Sequence, residues 1–255
     1  MGIVEFYDAY APFYDIIYDY EGDIPLYVEY ARAAGGPVLE SGVGTGRVAI
    51  PLAKAGVRVV GIDINEKMLS IARENLAKQS MDVQSRIKLV KTDMCNFWLK
   101  ERFPLCIIPP YAFLELPTAE NQETTLKNIN QHLLPRGKLI VHMFNPDLSR
   151  PQNVIKLTDV RKAVDGLIMR FATESFDFKE QTITARWFID SVKLDGSVRR
   201  AVLPPLKLRY VFYDEMQRML KRTGYEVESV FGDEKKTPFK ADSRLMIFVA
   251  RKSGY

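Results

Sequence analysis

A chain of 255 residues, 47% hydrophobic and 27% charged, is ordinary in composition for a soluble protein and long enough for one large α/β domain with an elaboration. It has no apolar run of membrane-span length and no signal-peptide pattern at its N-terminus, and Cys95 and Cys106 lack metal-ligand spacing, so a metal-free cytoplasmic protein with reduced, buried thiols is expected. The net charge of +4 is uneven: residues 1–149 carry 15 Lys and Arg against 18 Asp and Glu, and residues 150–255 carry 21 against 14. That basic second half would attract an anionic acceptor or RNA, but it contains no dense Lys/Arg block and reads as solvated surface.

Tyr7, Tyr10, Tyr14 and Tyr18 recur at spacings of three and four, which places them on one face of an N-terminal helix. Such a face either packs on the domain or closes over a ligand, since a phenol offers a flat apolar ring and a hydroxyl. From residue 36 strands and helices alternate. Gly36–Ser41 predicts a short strand containing Glu40, Gly46–Gly56 a helix stopped by Gly56, and Val57–Ile62 a buried parallel strand. Asn65 is placed to cap a helix running to about Gln79. Arg86–Val90 and Leu105–Ile108 predict a third and a fourth strand. Thr118 is placed to cap a helix through Leu134, and Pro135-Arg136-Gly137 turns the chain into a fifth strand, Lys138–Phe144. This order predicts a doubly wound parallel sheet of the α/β class. Residues 166–212 then alternate like strands, with Asp195-Gly196 as a hairpin signal, and predict two or three antiparallel strands as an insert. A helix over Tyr213–Arg222 and closing strands at Tyr225–Val230 and Leu245–Ala250 complete the chain.

The strongest chemical signal is Glu40-Ser41-Gly42-Val43-Gly44-Thr45-Gly46-Arg47, between strand one and helix one. Alternate glycines let the backbone turn tightly and leave room for a ligand where a Cβ would collide. The spacing departs from the dinucleotide pattern G-x-G-x-x-G, whose third glycine position is Arg47 here. Glu40 would repel a pyrophosphate and suit the ammonium of an amino-acid-like ligand. Asp63, at the end of strand two, can accept from both hydroxyls of a ribose. Asp93, just past strand three, can accept from the exocyclic amine of adenine, and the amide of Met94 can reach a ring nitrogen.

These residues together resemble the class I S-adenosylmethionine-dependent methyltransferases. The matching features are the Glu-x-Gly-x-Gly-x-Gly run, Asp63 and Asp93. The Tyr-Asp-rich opening, Ala11-Pro12-Phe13-Tyr14-Asp15, is similar to a group of small-molecule enzymes that includes amino-sugar N-methyltransferases and relatives of glycine N-methyltransferase. The resemblance implies a Rossmann-like, seven-stranded, mostly parallel sheet with an antiparallel last strand, plus a small antiparallel β insert. It implies S-adenosylmethionine as cofactor and a small-molecule acceptor methylated at nitrogen or oxygen. Gly42, Gly44 and Gly46 would line the methionine part and Glu40 would act near its amino group. Asp63 would hold the ribose, Asp93 and Met94 the adenine, Ile64 and Met68 the adenine faces, and Tyr14 would close over the carboxylate end. Ser41 and Val43 depart from the usual residues without removing a donor or acceptor.

Residues 1–149 and 213–255 are thereby assigned to the cofactor-binding domain, and 150–212 to an insert that caps the acceptor pocket or forms a homodimer surface. A general base is needed only for an acceptor that arrives protonated; Glu115 and His142 are the candidates. Ile108-Pro109-Pro110-Tyr111 nearly matches the Asp/Asn-Pro-Pro-Tyr motif of nitrogen-directed enzymes, but Ile108 lacks the accepting atom. Three other readings stay open: an RNA or protein methyltransferase, a nicotinamide-dependent oxidoreductase and a non-catalytic cofactor-binding protein.

Overall fold

A computed structural model describes residues 2–254. Helix α1 (Ile3–Ile17) opens the chain, with the Glu5 carboxylate accepting from the Gly2 amide at 2.8 Å. Helix α2 (Ile24–Ala34) carries Pro25 in its first turn, where no intrahelical partner for an amide is lost, and Gly35 closes it with φ 65°. Then come β1 (Val38–Ser41), α3 (Ala49–Lys54), β2 (Val59–Asp63), α4 (Glu66–Ala77), α5 (Met81–Arg86), β3 (Ile87–Lys91) and β4 (Phe103–Ile108). A 3-10 turn (Ala112–Glu115), α6 (Ala119–His132) and β5 (Leu133–Phe144) follow. The two expected caps form: Asn65 Oδ1 accepts from the Met68 amide at 2.9 Å, and Thr118 Oγ1 accepts from the Asn121 amide at 3.1 Å. The turn expected at Pro135-Arg136-Gly137 is a break inside β5. Arg136 has φ 62°, and pairing with β4 jumps from Phe103–Leu133 to Leu105–Lys138.

The insert holds more strands than its alternation suggests: β6 (Lys156–Ala163), β7 (Gly166–Asp177), β8 (Thr182–Lys193), β9 (Val198–Val202) and β10 (Leu206–Arg209). They pair antiparallel in the order β10-β8-β7-β6, with β9 also on β8. The chain closes with α7 (Tyr213–Arg222), β11 (Tyr225–Phe231) and β12 (Leu245–Lys252). Helix α7 has Asp214 and Glu215 in its first turn and Lys221 and Arg222 in its last, the arrangement that its dipole favours.

The chain divides into two compact units: residues 21–146 with 211–255, and residues 147–210 with the chain up to Tyr20. The expected assignment of 1–149 and 213–255 to one domain differs from this at the N-terminus. The reason is aromatic burial. Phe6 and Tyr10, 1% and 2% exposed, set their rings 5.1 and 5.0 Å from Trp187 of β8. The Arg170 guanidinium of β7 lies 4.3 Å from the same indole. Helix α1 therefore belongs with the inserted sheet, and Tyr7, Tyr10, Tyr14 and Tyr18 form a run of neighbouring rings along it.

The larger unit is built on a seven-stranded sheet of order β11-β12-β5-β4-β1-β2-β3. Strands β1 to β5 run parallel; β12 is antiparallel to both of its neighbours. Its core contains Leu52, Val59, Leu105, Ile140 and Val249, with Tyr27 of α2 packed among them. The strand order reverses between β1 and β4, the place where open α/β sheets form a ligand crevice beyond the strand ends. Among the described residues no helix is long and apolar enough to cross a membrane.

Candidate functional site

The crevice is floored by the loop that leaves β1. Gly42, Gly44 and Gly46 have φ of 86°, 54° and 86°, a left-handed sequence that side chains resist. The amides of Gly42 and Val43 both donate to the Ile62 carbonyl of β2, at 2.9 and 3.0 Å, which folds the loop back over that strand. Two close approaches fix its height. A Cβ at Gly42 would stand 2.8 Å from the Ala112 methyl, and a Cβ at Gly61 would stand 2.6 Å from a Val43 methyl. The unusual Val43 is thus accommodated by a glycine in the strand beneath it.

Asp63 ends β2 with both oxygens engaged: Oδ2 accepts from the Gly44 amide and Oδ1 from the Asn65 amide, each at 2.8 Å. Burial raises its pKa, and the bonds from Asn65, Gly44 and Ile64 oppose the rise. Ile64 next to it is 39% exposed, whereas Met68 is 2% exposed. The Met68 terminal methyl lies 3.5 Å from where a Cβ at Gly44 would sit, and that of Met94 lies 3.7 Å from the same point at Gly42. Asp93 is exposed beyond β3, and its Oδ1 accepts from the Cys95 amide at 2.8 Å. The structure therefore gathers Gly42, Gly44, Asp63, Met68 and Met94 around one loop. Tyr14 belongs to the smaller unit, with its ring 5.5 Å from Tyr10.

Below the loop lies a buried polar cluster. Glu40 is 1% exposed, and its Oε2 has no hydrogen-bond partner. Burial holds its pKa well above the carboxylate range; Arg47 acts against this, and Asp23 and Asp63 reinforce it. Arg47 forms a two-point ion pair with Asp23, both bonds at 2.7 Å. Asp23 stands at the N-cap of α2 but makes no capping bond, because its carboxylate is turned to Arg47. One turn along α2, the Tyr27 hydroxyl lies 2.7 Å from His142 Nδ1 of β5. His142 is 1% exposed, and burial pushes its pKa down to about 4. Asp23 and Tyr27 are site residues that sequence reasoning missed. No spacing rule links Asp23 to Arg47, or Tyr27 to His142.

Beyond β4, Tyr111 has φ 72°, a strained value for an aromatic residue. Its ring is 40% exposed and lies 5.9 Å from that of Phe144, at the end of β5. The 3-10 turn that follows carries the half-buried Glu115. His132 is structural: its Nε2 accepts from the Leu99 amide at 3.0 Å, and Nδ1 lies 2.8 Å from the Asn128 carbonyl.

Residues 38–137 match the methyltransferase domain family. A relative described as an uncharacterised methyltransferase of Oceanobacillus iheyensis is 30% identical over 173 residues, which span 62% of this chain and 77% of its own. Among solved structures, the CcbJ methyltransferase from Streptomyces caelestis is similar with a TM-score of 0.84 and 25% identity, over 98% of this chain and 99% of that one. An S-adenosylmethionine-bound amino pentose methyltransferase from Micromonospora echinaspora shares the fold, with a TM-score of 0.72 and 18% identity over 92% of each chain. The residues present fit the cofactor of this family. A buried carboxylate oxygen without a partner can take its ammonium, and a glycine loop that a Cβ would obstruct can receive its chain. By its domain match, its relative and its strand order, the chain belongs to the class I S-adenosylmethionine-dependent methyltransferases.

Proposed function

We propose that the protein transfers the methyl group of S-adenosylmethionine to a nitrogen or oxygen atom of a small-molecule acceptor. The observation that carries this reading is the end of β4. There the strained Tyr111 and Phe144 offer an aromatic wall, and Glu115 offers a carboxylate three residues after the loop contact at Ala112. Aromatic faces suit a compact, cationic amine, and Glu115, in the turn that follows, is assigned as its carboxylate partner. The amino-pentose acceptor of the enzyme from Micromonospora echinaspora agrees in kind. A second half without a dense Lys/Arg block gives little support to a nucleic-acid acceptor.

Bound S-adenosylmethionine supplies an activated methyl group on a sulfonium with a neutral leaving group. The chain's part is to bind, orient and dry the reactants. Glu40 would pair with the cofactor's ammonium, and the glycine loop would receive its methionine part. Asp63, at the end of β2, would hold the ribose hydroxyls. Ile64 and Met68 would flank the adenine, and Asp93 and Met94 would hold its edge. Glu115 takes the proton of an ammonium acceptor. His142 is assigned to the frame: its ring is buried, neutral and bonded to Tyr27, so it holds α2 in place.

The test is to incubate the protein with methyl-labelled S-adenosylmethionine and cell extract, then separate small metabolites from macromolecules. Label in the metabolite fraction supports the reading and identifies the acceptor. Label confined to RNA or protein overturns the acceptor class.

A further inference from the structure

We propose that Asp23 and Arg47 are positioning residues for cofactor binding: by holding Arg47 in a two-point pair, Asp23 leaves Glu40 Oε2 without a hydrogen-bonding partner, so that Glu40 surrenders a proton when it takes the cofactor's ammonium. The inference rests on the assignment of Glu40 to that ammonium.

Three observations carry it. Glu40 Oε2 is buried and has no hydrogen-bond partner. Arg47 is the cation that acts on Glu40, and two of its donors are committed to Asp23 at 2.7 Å. Asp23 forgoes the capping bond of α2 to make this pair and is wholly buried in doing so. The other groups facing Glu40 do not relieve it. Asp63 of β2 has the same sign, and the buried Cys106 thiol of β4 stays protonated, its pKa raised by burial and by Glu40. His142 of β5 is neutral near pH 7, and its charged neighbours are Asp23 and Arg47. A buried carboxyl group whose oxygen receives no hydrogen bond from a cation keeps its proton. The step balances: the Glu40 O–H bond breaks, the proton passes to solvent, and the carboxylate formed pairs with the ammonium.

The sign follows from linkage. Glu40 has a higher pKa in the free protein than in the complex, so affinity rises with pH between the two values, by up to about tenfold per unit for one proton. Asp23→Asn frees Arg47 to neutralise Glu40, which then ionises before any ligand arrives.

The experiment is calorimetric titration with S-adenosylhomocysteine between about pH 6 and pH 7.5, each point repeated in buffers of different ionisation enthalpy. The intact protein is expected to release protons, up to about one per ligand bound, and to bind more tightly as pH rises. Asp23→Asn is expected to release distinctly less and to show a flatter profile; Glu40→Gln, of the same shape, is expected to bind weakly with no pH dependence. A purely structural pair would lower the melting midpoint of Asp23→Asn and leave proton release unchanged, and that result overturns the proposal. Tight binding by the intact protein without proton release overturns it while sparing the cofactor assignment. Failure of the intact protein to bind overturns both.

Discussion

Gly61 offers a direct test of how the cofactor loop is held. It lies within β2, paired with Glu40 on one side and Leu89 on the other. An added Cβ would meet a Val43 methyl at 2.6 Å and Val43 Cβ at 2.9 Å, against about 3.5–4.0 Å for carbons in contact. Strand pairing on both sides holds the Gly61 backbone, so Val43 must yield, and Gly42 and Gly44 move with it. An overlap of about 1 Å in a packed interior predicts that Gly61→Ala costs about 1–3 kcal/mol. The melting midpoint should fall by roughly 3–9 °C. A displaced loop should also weaken S-adenosylhomocysteine about tenfold, equivalent to about 1.4 kcal/mol. Val43→Ala removes two methyls from a side chain that is 3% exposed and should cost about 1.5 kcal/mol by itself. Combined with Gly61→Ala it removes the 2.6 Å contact, so the double variant should be about 1 kcal/mol less destabilised than the sum of the singles. Urea unfolding followed by circular dichroism, with calorimetry for the ligand, measures all four proteins. A Gly61→Ala variant that unfolds at the wild-type midpoint, with additive double-variant energies, would refute the idea that the loop rests on this glycine.

Asp63→Ala removes the acceptor of the Gly44 and Asn65 amides as well as the ribose partner, and should weaken S-adenosylhomocysteine more than about 100-fold, since bonds to a charged group contribute about 1.5–3 kcal/mol each; normal affinity by calorimetry would remove Asp63 from the site. His142 titrates near pH 4 in the folded protein against 6.5 for the free side chain. Its contribution is therefore full above pH 6.5 and is lost as pH falls toward 4, about 3 kcal/mol over that span. His142→Gln should flatten this part of the stability profile, and an unchanged acid slope counts against the assignment. Trp187→Ala removes the ring shared by Phe6, Tyr10 and Arg170 and should cost about 3 kcal/mol. Protease cleavage within α1 should accelerate; equal rates would mean that the helix is held some other way.

The larger unit was legible where sequence signals are local. The glycine run, the Asn65 and Thr118 caps and the β-branched stretch at 57–62 each specify structure within a few residues, and the helix over Tyr213–Arg222 is found with those bounds. Helix α5 escaped notice because Val83 is its one buried residue, so no apolar period marks it. Strand β6, Lys-Leu-Thr-Asp-Val-Arg-Lys-Ala, lies at a sheet edge and is mostly exposed, and no alternation announces it. The site divides in the same way. Glu40 and Asp63 are placed by their distance from strand ends, whereas the Asp23–Arg47 and Tyr27–His142 contacts join distant segments. Such pairs emerge only from tertiary packing. The placement of α1 depended on the same kind of contact, since its tyrosine face gave no sign that Trp187 was its partner.

That placement has a consequence for biosynthesis. Helix α1 is made before β1 to β5, β6 and β7, and only then does the strand carrying Trp187 follow. At ordinary translation speeds the ribosome needs roughly 10–30 s to cover that interval. Throughout it the apolar side of α1, with Phe6 and Tyr10, lacks its partner while the parallel sheet is already forming. The nascent chain therefore carries a sticky segment throughout that interval. Its yield in a cell should depend on chaperones that shield such segments, more than on the stability of the finished fold.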